Sequence, residues 1–242
     1  MPSENPKFAH PYARMPLFFQ QDINPHASIA LWRIEEPEEF FRDRVPVEAD
    51  FRSPQKRLQH LAGRHLLQVL VPGFPYDSIR EAASGRPYLE DRSFDFSLSH
   101  TNGVAAALVV RSGRAGVDVE YATPRIGRVM PRFLHPEELS WVQRQPLPDF
   151  AEGWPVAAPW ILPTLLWSAK ESVFKWQGDR GVAFDRQIRF DPFTFRSSGT
   201  IPFRFLRDAA FHLDVGYSVK GDLCVTWLTA PGEGLTDTAL SD

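Results

Sequence analysis

Cys224 is the chain's single cysteine among 242 residues. An intrachain disulfide and a cysteine-built zinc site are therefore excluded, and a reducing compartment fits. The seven histidines do not gather at metal-ligand spacing either; His60 and His65, five apart, fall on different faces of a helix. Neither sign of charge dominates, for 27 basic and 30 acidic residues leave a net charge of -3. A chain so balanced has no dense basic face for nucleic acid, and any anionic ligand must be met by a local cluster. No apolar run approaches the ~18 residues of a membrane span, and the opening Met1-Pro2-Ser3-Glu4-Asn5-Pro6-Lys7 is polar and proline-broken. The expectation is a soluble cytoplasmic monomer with no nucleic-acid or membrane partner. Also missing are the GxxxxGK phosphate loop, GxGxxG, the GxSxG elbow and HExxH, which removes the commonest routes to nucleotide, acyl and zinc chemistry.

What is present is a hydrophobic content of 43% and an aromatic content of 13%, enough for one large core or two small ones. Ser28 to Ile34 reads as a strand and the acidic Glu35 to Asp43 as a short surface helix. Ser53-Pro54 starts a helix, serine as N-cap and proline at the first helical position. Leu58, Leu61, Ala62, His65, Leu66 and Val69 form its buried face, and Pro72-Gly73 ends it. Lys56, Arg57, His60 and Arg64 lie elsewhere around it, a wet face or, for Arg64, a phosphate contact. Phe94, Phe96 and Leu98 alternate with Asp95, Ser97 and Ser99 in a strand with one polar side, and His100 to Gly103 turns. Val104 to Val110 and Val117 to Glu120 continue the series, bringing His100 and the acids that follow onto adjacent strands. Met130 to Gln145 reads as one helix, Pro146 to Pro163 as a proline-rich loop, Phe184 to Val225 as several short strands, and Pro231 to Asp242 as a frayed tail.

In Gly116-Val117-Asp118-Val119-Glu120 the strand period of two sends both valines inward and both carboxylates to the other face. In Trp167-Ser168-Ala169-Lys170-Glu171-Ser172-Val173-Phe174-Lys175 a helix aligns Trp167, Glu171 and Lys175 at steps of four. The strand acids are either half of a magnesium site or an ordinary surface alternation. The helix pair is either catalytic or a stabilising contact of about 0.2 to 0.5 kcal/mol.

These segments occur in one order with Gly85-Arg86-Pro87 and Phe96-Ser97-Leu98-Ser99-His100-Thr101. In that order, and with Ala62-Gly63-Arg64 upstream, the chain resembles the 4'-phosphopantetheinyl transferases of the surfactin-synthetase-activating type. The resemblance implies transfer of phosphopantetheine from coenzyme A to a serine hydroxyl of an apo acyl or peptidyl carrier protein, with release of adenosine 3',5'-bisphosphate. It implies magnesium, or manganese in its place, held by Asp118, Glu120 and Glu171. Glu171 matches the general base and Lys175 the lysine that contacts phosphates and supports that acid; with Asp118 these form the implied catalytic set. Arg86, Ser99 and His100 match coenzyme phosphate contacts, with Arg64 a candidate for the 3'-phosphate. Three positions depart from the pattern: Ser97 stands for asparagine, Thr101 for serine, and Gly178-Asp179-Arg180-Gly181 spaces its glycines by two residues.

The implied fold is α+β, two similar subdomains with a pseudo-two-fold relation and the site in the cleft between them. We divide them as 1–115, carrying the coenzyme phosphate contacts, and 116–242, carrying the metal-binding acids and the catalytic helix. Two other readings stay open: a non-catalytic relative that binds coenzyme A or a carrier protein, and a metal-dependent phosphoesterase using the same acids.

Overall fold

A computed structural model describes residues 15–46, 51–151, 153, 156–207 and 210–231. The polar opening at Met1 to Lys7 and nearly all of the tail after Pro231 lie outside the described residues. The fold is α+β, with two antiparallel sheets back to back and one long helix on each outer face. The first sheet has the order β1-β2-β6-β5, from β1 (Leu17–Asn24), β2 (Ala27–Arg33), β5 (Asp95–Thr101) and β6 (Val104–Val110). The second has the order β7-β11-β10-β9-β8, from β7 (Arg114–Tyr121), β8 (Ile188–Phe190), β9 (Ser198–Leu206), β10 (Ala210–Lys220) and β11 (Leu223–Ala230). A small hairpin, β3 (Ile79–Glu81) with β4 (Pro87–Leu89), carries a turn to the cleft. In both sheets a last strand, β6 or β11, inserts between an early strand and its own predecessor.

Strand β6 accounts for the sandwich. Its Val-Ala-Ala-Ala-Leu-Val-Val is buried at every position, the pattern of a strand covered on both faces. Ala105, Ala107 and Val109 meet Leu61 and Leu66 of helix α2 (Pro54–Leu70), while Val104, Ala106, Leu108 and Val110 join Val117, Val119 and Val225 of the second sheet. Ser53 caps α2, its hydroxyl oxygen accepting from the Lys56 amide at 3.4 Å. Helix α5 (Ala158–Gln177) packs on the far face of the second sheet through Ile161, Leu165, Ala169, Val173 and Trp176.

Five expectations from sequence need correction. His100 and Thr101, read as part of a turn, end β5, and only Asn102 and Gly103 turn. The acidic helix, α1, is only Glu38–Arg42. The single helix over Met130 to Gln145 is two, α3 (Ile126–Phe133) and α4 (Pro136–Gln143), broken where Leu134 turns extended and His135 and Glu138 cap the second reciprocally. The proline-rich loop stops at Ala157: Pro159 sits in the first turn of α5, where a missing N–H costs nothing, and Pro163 lies buried inside the helix. Finally, β7 does not extend the β5–β6 hairpin series but enters the other sheet, pairing with β11.

The acids nevertheless end beside β5, because β5 and β7 are the facing edges of the two sheets. Side chains join them. The Ala115 amide donates to Asp95 Oδ2 at 2.8 Å, and the Val117 amide to Ser97 Oγ at 3.0 Å. Ser99 Oγ donates to Asp118 Oδ1 at 2.7 Å, and Thr101 Oγ1 to Glu120 Oε2 at 3.3 Å. The polar row of β5 thus satisfies an edge that would otherwise present orphan amides.

Gly116 lets α5 approach β7. A Cβ there would lie 2.0 Å from the Ser172 carbonyl oxygen and 3.0 Å from Trp176 Cβ. Ser172 and Ser168 also share hydrogen bonds with Thr226 Oγ1, at 2.7 and 3.0 Å. Gly116→Ala is expected to lower stability by at least the ~1–3 kcal/mol of an overpacked core, read as a fall in urea midpoint. An unchanged midpoint would mean the helix has slack at this contact.

Candidate functional site

The two halves enclose a cavity of about 610 Å³. Its lining includes seven of the eight residues expected from sequence: Arg64, Arg86, Ser99, His100, Asp118, Glu120 and Lys175. Glu171, half-buried one turn before Lys175 on α5, lies outside that lining.

Asp118 is the centre of the arrangement. Its side chain is 6% exposed, and Oδ1 takes both the Ser99 hydroxyl and the Lys175 ammonium, the latter at 2.8 Å. Lys175 also donates to the Val117 carbonyl at 2.9 Å. The helix pair Glu171–Lys175 read from spacing is therefore not the contact formed: the lysine reaches across to the strand. Its ammonium holds β7 at two points. Asp118 Oδ2 is buried with no hydrogen-bond partner.

Burial first, and then the charge of Asp118, push Glu120 and Glu171 each up to about 7. Two carboxyls that resist ionisation beside a third with an orphan oxygen form a set that a hard cation would stabilise. Among the described residues, no three histidine, cysteine, aspartate or glutamate side chains are gathered closely enough to cage a metal by themselves. Magnesium suits such a partial set, since it prefers a few carboxylates with phosphate oxygens and waters completing its octahedron. The donors fit the ion in chemistry, with part of the shell left to substrate and solvent.

The phosphate side is built from both sheets and α2. Arg86 forms an ion pair with Asp95, the same carboxylate that accepts the Ala115 amide, so Arg86 is tied to the seam as well as exposed to the cavity. Arg64 Nη1 contacts His60 Nδ1 at 3.0 Å, while Arg64 Nε is buried without a partner. Burial and the neighbouring arginine depress His60 to about 4, so its ring is neutral near pH 7 and Nδ1 accepts. His100 sits at the exposed rim.

Several lining residues were not singled out from sequence: His60, Gln59, Phe51, Glu81, Phe174 and Arg180, with Asp95 behind Arg86. Two left a signal. His60 precedes Arg64 by one helical step of four, and Asp95 heads the polar row of Ser97 and Ser99. The substitutions relative to the expected pattern have visible roles: Ser97 supplies the acceptor for the Val117 amide, and Thr101 the donor to Glu120.

Residues 114–227 match the family model described as the 4'-phosphopantetheinyl transferase superfamily. Over 181 residues the chain is 28% identical to the 4'-phosphopantetheinyl transferase HetI of Nostoc sp., covering 64% of this chain and 70% of that protein. It is 30% identical over 116 residues to a Haemophilus influenzae protein to which the same transferase activity is ascribed, covering 45% of this chain and 49% of the relative. The matched segment of this chain contains Asp118, Glu120, Glu171 and Lys175; Arg64, Arg86, Ser99 and His100 lie before it.

Removing the lysine isolates a buried charge. Lys175→Met is expected to cost about 1–3 kcal/mol, with Asp118 keeping only Ser99 as a partner. Asp118→Asn in the same chain should recover part of that loss. A double-mutant cycle in denaturant measures the coupling, and additive losses would show that the pair contributes nothing to folding.

Proposed function

We propose that this chain is a magnesium-dependent 4'-phosphopantetheinyl transferase of the surfactin-synthetase-activating type. It moves phosphopantetheine from coenzyme A to a serine hydroxyl of an apo acyl or peptidyl carrier protein and releases adenosine 3',5'-bisphosphate. The family match and both relatives support the enzyme class. The observation that carries the reading is Asp118: buried, shared between Ser99 of one sheet and Lys175 of the opposite helix, with Oδ2 left without a hydrogen-bond partner. A protein that only bound coenzyme A would have no use for a buried aspartate whose charge, with burial, pushes two further carboxyls up.

The division into 1–115 and 116–242, and a pseudo-two-fold between them, is supported by the shared insertion of the last strand in each sheet. On this division the first half offers Arg64, Arg86, Ser99 and His100 to the coenzyme phosphates, and the second offers the acids and Lys175. Neither half has the set alone.

Asp118, Glu120 and Glu171 would hold the magnesium, which when bound neutralises pyrophosphate and stabilises the departing oxygen. The remaining chemistry belongs to the chain. In the transfer the carrier serine oxygen forms a bond to the phosphorus that carries pantetheine, while the bond from that phosphorus to the bridging oxygen breaks. The bisphosphate leaves with that oxygen. The serine proton goes to Glu171, directly or through water; a carboxylate whose affinity for protons is raised by burial accepts it more readily than one in bulk water. Lys175, fixed by the Val117 carbonyl and Asp118, keeps a positive charge against the phosphates. Arginine suits the coenzyme because its planar fork can donate two bonds to one phosphate.

An intact-mass assay of several apo-carriers with coenzyme A tests this function. The expected result is a carrier heavier by one phosphopantetheine, dependent on magnesium or manganese and abolished by excess chelator. Full transfer in chelator would sink the metal assignment, and bisphosphate release without any carrier would favour a phosphoesterase. Glu171→Gln is expected to cut turnover at least a hundredfold, the lower range of general-base effects, with coenzyme affinity changed little. Near-normal transfer by that variant would defeat Glu171 as the base.

A further inference from the structure

Arg180 is a cavity residue that the expected pattern does not supply with a role. It belongs to the wider glycine spacing after α5. Gly178 and Gly181 both take left-handed φ, +85° and +84°, conformations glycine adopts at little cost. Between them Asp179 is anchored: its amide donates to Gln177 Oε1 at 3.0 Å, its carbonyl accepts from Gln177 Nε2, and its carboxylate accepts from Arg207 at 2.6 Å. The anchoring presents the next residue, Arg180, toward the cleft.

Arg180 crosses to the other half. Its Nε donates to the Ser84 carbonyl at 2.9 Å, joining the loop after α5 to the turn between β3 and β4. Its Nη2 lies so near Gly85 that a Cβ there would stand 3.2 Å from it. Gly85 has φ +85°, so its backbone requires glycine in any case. Two of the cavity's other strong cations are already paired, Arg86 with Asp95 and Lys175 with Asp118. Among the described residues Arg180 has only the neutral Ser84 carbonyl as a hydrogen-bond partner and makes no ion pair. It is exposed, so that charge remains free for an incoming anion.

We propose that Arg180 is a further substrate-binding residue, gripping a phosphate group of the coenzyme with its terminal nitrogens while its Nε stays on Ser84. This rests on the transferase reading and extends it to a residue outside the motifs that led to it. A ligand held so would fasten the 178–181 loop to the 82–86 turn. The guanidinium geometry suits the demand: Nε holds a backbone carbonyl while the terminal nitrogens, set apart on the planar fork, reach a phosphate, a span that lysine's donors, all on one nitrogen, do not cover.

The test is calorimetric titration of the full chain with coenzyme A and with dephospho-coenzyme A, for the wild type, Arg180→Ala and Arg180→Lys. Arg180→Ala is expected to weaken coenzyme A about tenfold or more, with an unchanged denaturation midpoint, and Arg180→Lys to restore only part. A loss confined to coenzyme A assigns the contact to its 3'-phosphate; equal losses for both ligands assign it to the pyrophosphate, and either supports the grip. Wild-type affinity in Arg180→Ala would overturn this proposal alone, leaving Arg180 as a strut between two loops. Failure of the wild type to bind coenzyme A at all would overturn the transferase reading and this proposal with it.

Discussion

The facing edges of β5 and β7 are the contact on which the rest depends. Two sheet edges meet without a backbone ladder, and a row of short polar side chains from β5 satisfies β7 in its place. A continuous ladder would have merged the sheets and closed the space between them. Side-chain bonds instead hold the edges a side chain's length apart. The same residues that close the seam, Ser99 and Thr101, reach the carboxylates of Asp118 and Glu120, so the join between the halves and the floor of the site are one structure.

The second constraint is the closeness of α5 to β7. Gly116 removes the one Cβ that would keep the helix away, and Ser168, Ser172 and Thr226 make the crossing narrow and polar. Only at this distance can Lys175 span to the Val117 carbonyl and to Asp118. The glycine that looks like part of a ligand-binding motif is thus a packing residue, and its effect on chemistry is indirect. Lys170 secures the other side of the helix: buried, it donates to Glu138 at 2.7 Å and to the carbonyls of Phe133 and Phe184. That pair, with Glu138 also accepting from the Phe190 amide, ties α3, α4 and β8 to the helix that carries Glu171.

Local periodicity made much of this legible. The alternation over Val117 to Glu120 put the valines in the core and both acids on the opposite face. The Ser53 cap and the apolar stripe of α2 also stand where spacing placed them. What spacing could not supply was partners distant in sequence. Lys175 has Glu171 four residues away, yet its bond is to an aspartate 57 positions earlier. Arg86 reads as a free phosphate ligand until Asp95 is seen beside it. Pro163 reads as a loop residue because proline breaks isolated helices; packing against a sheet outweighs that local preference.

Placing the site at a seam has an electrostatic logic of its own. Three carboxylates near one another repel, and burial raises the cost of each charge. Within one rigid sheet such a cluster would strain the fold that carries it. Here Asp118 is compensated by a helix on one side and a serine from the other sheet, while Glu120 and Glu171, each pushed up to about 7, can hold protons and so relieve the repulsion. The cluster's unfavourable charge is confined to a boundary between hydrophobic cores, so none of them must be weakened to accommodate it.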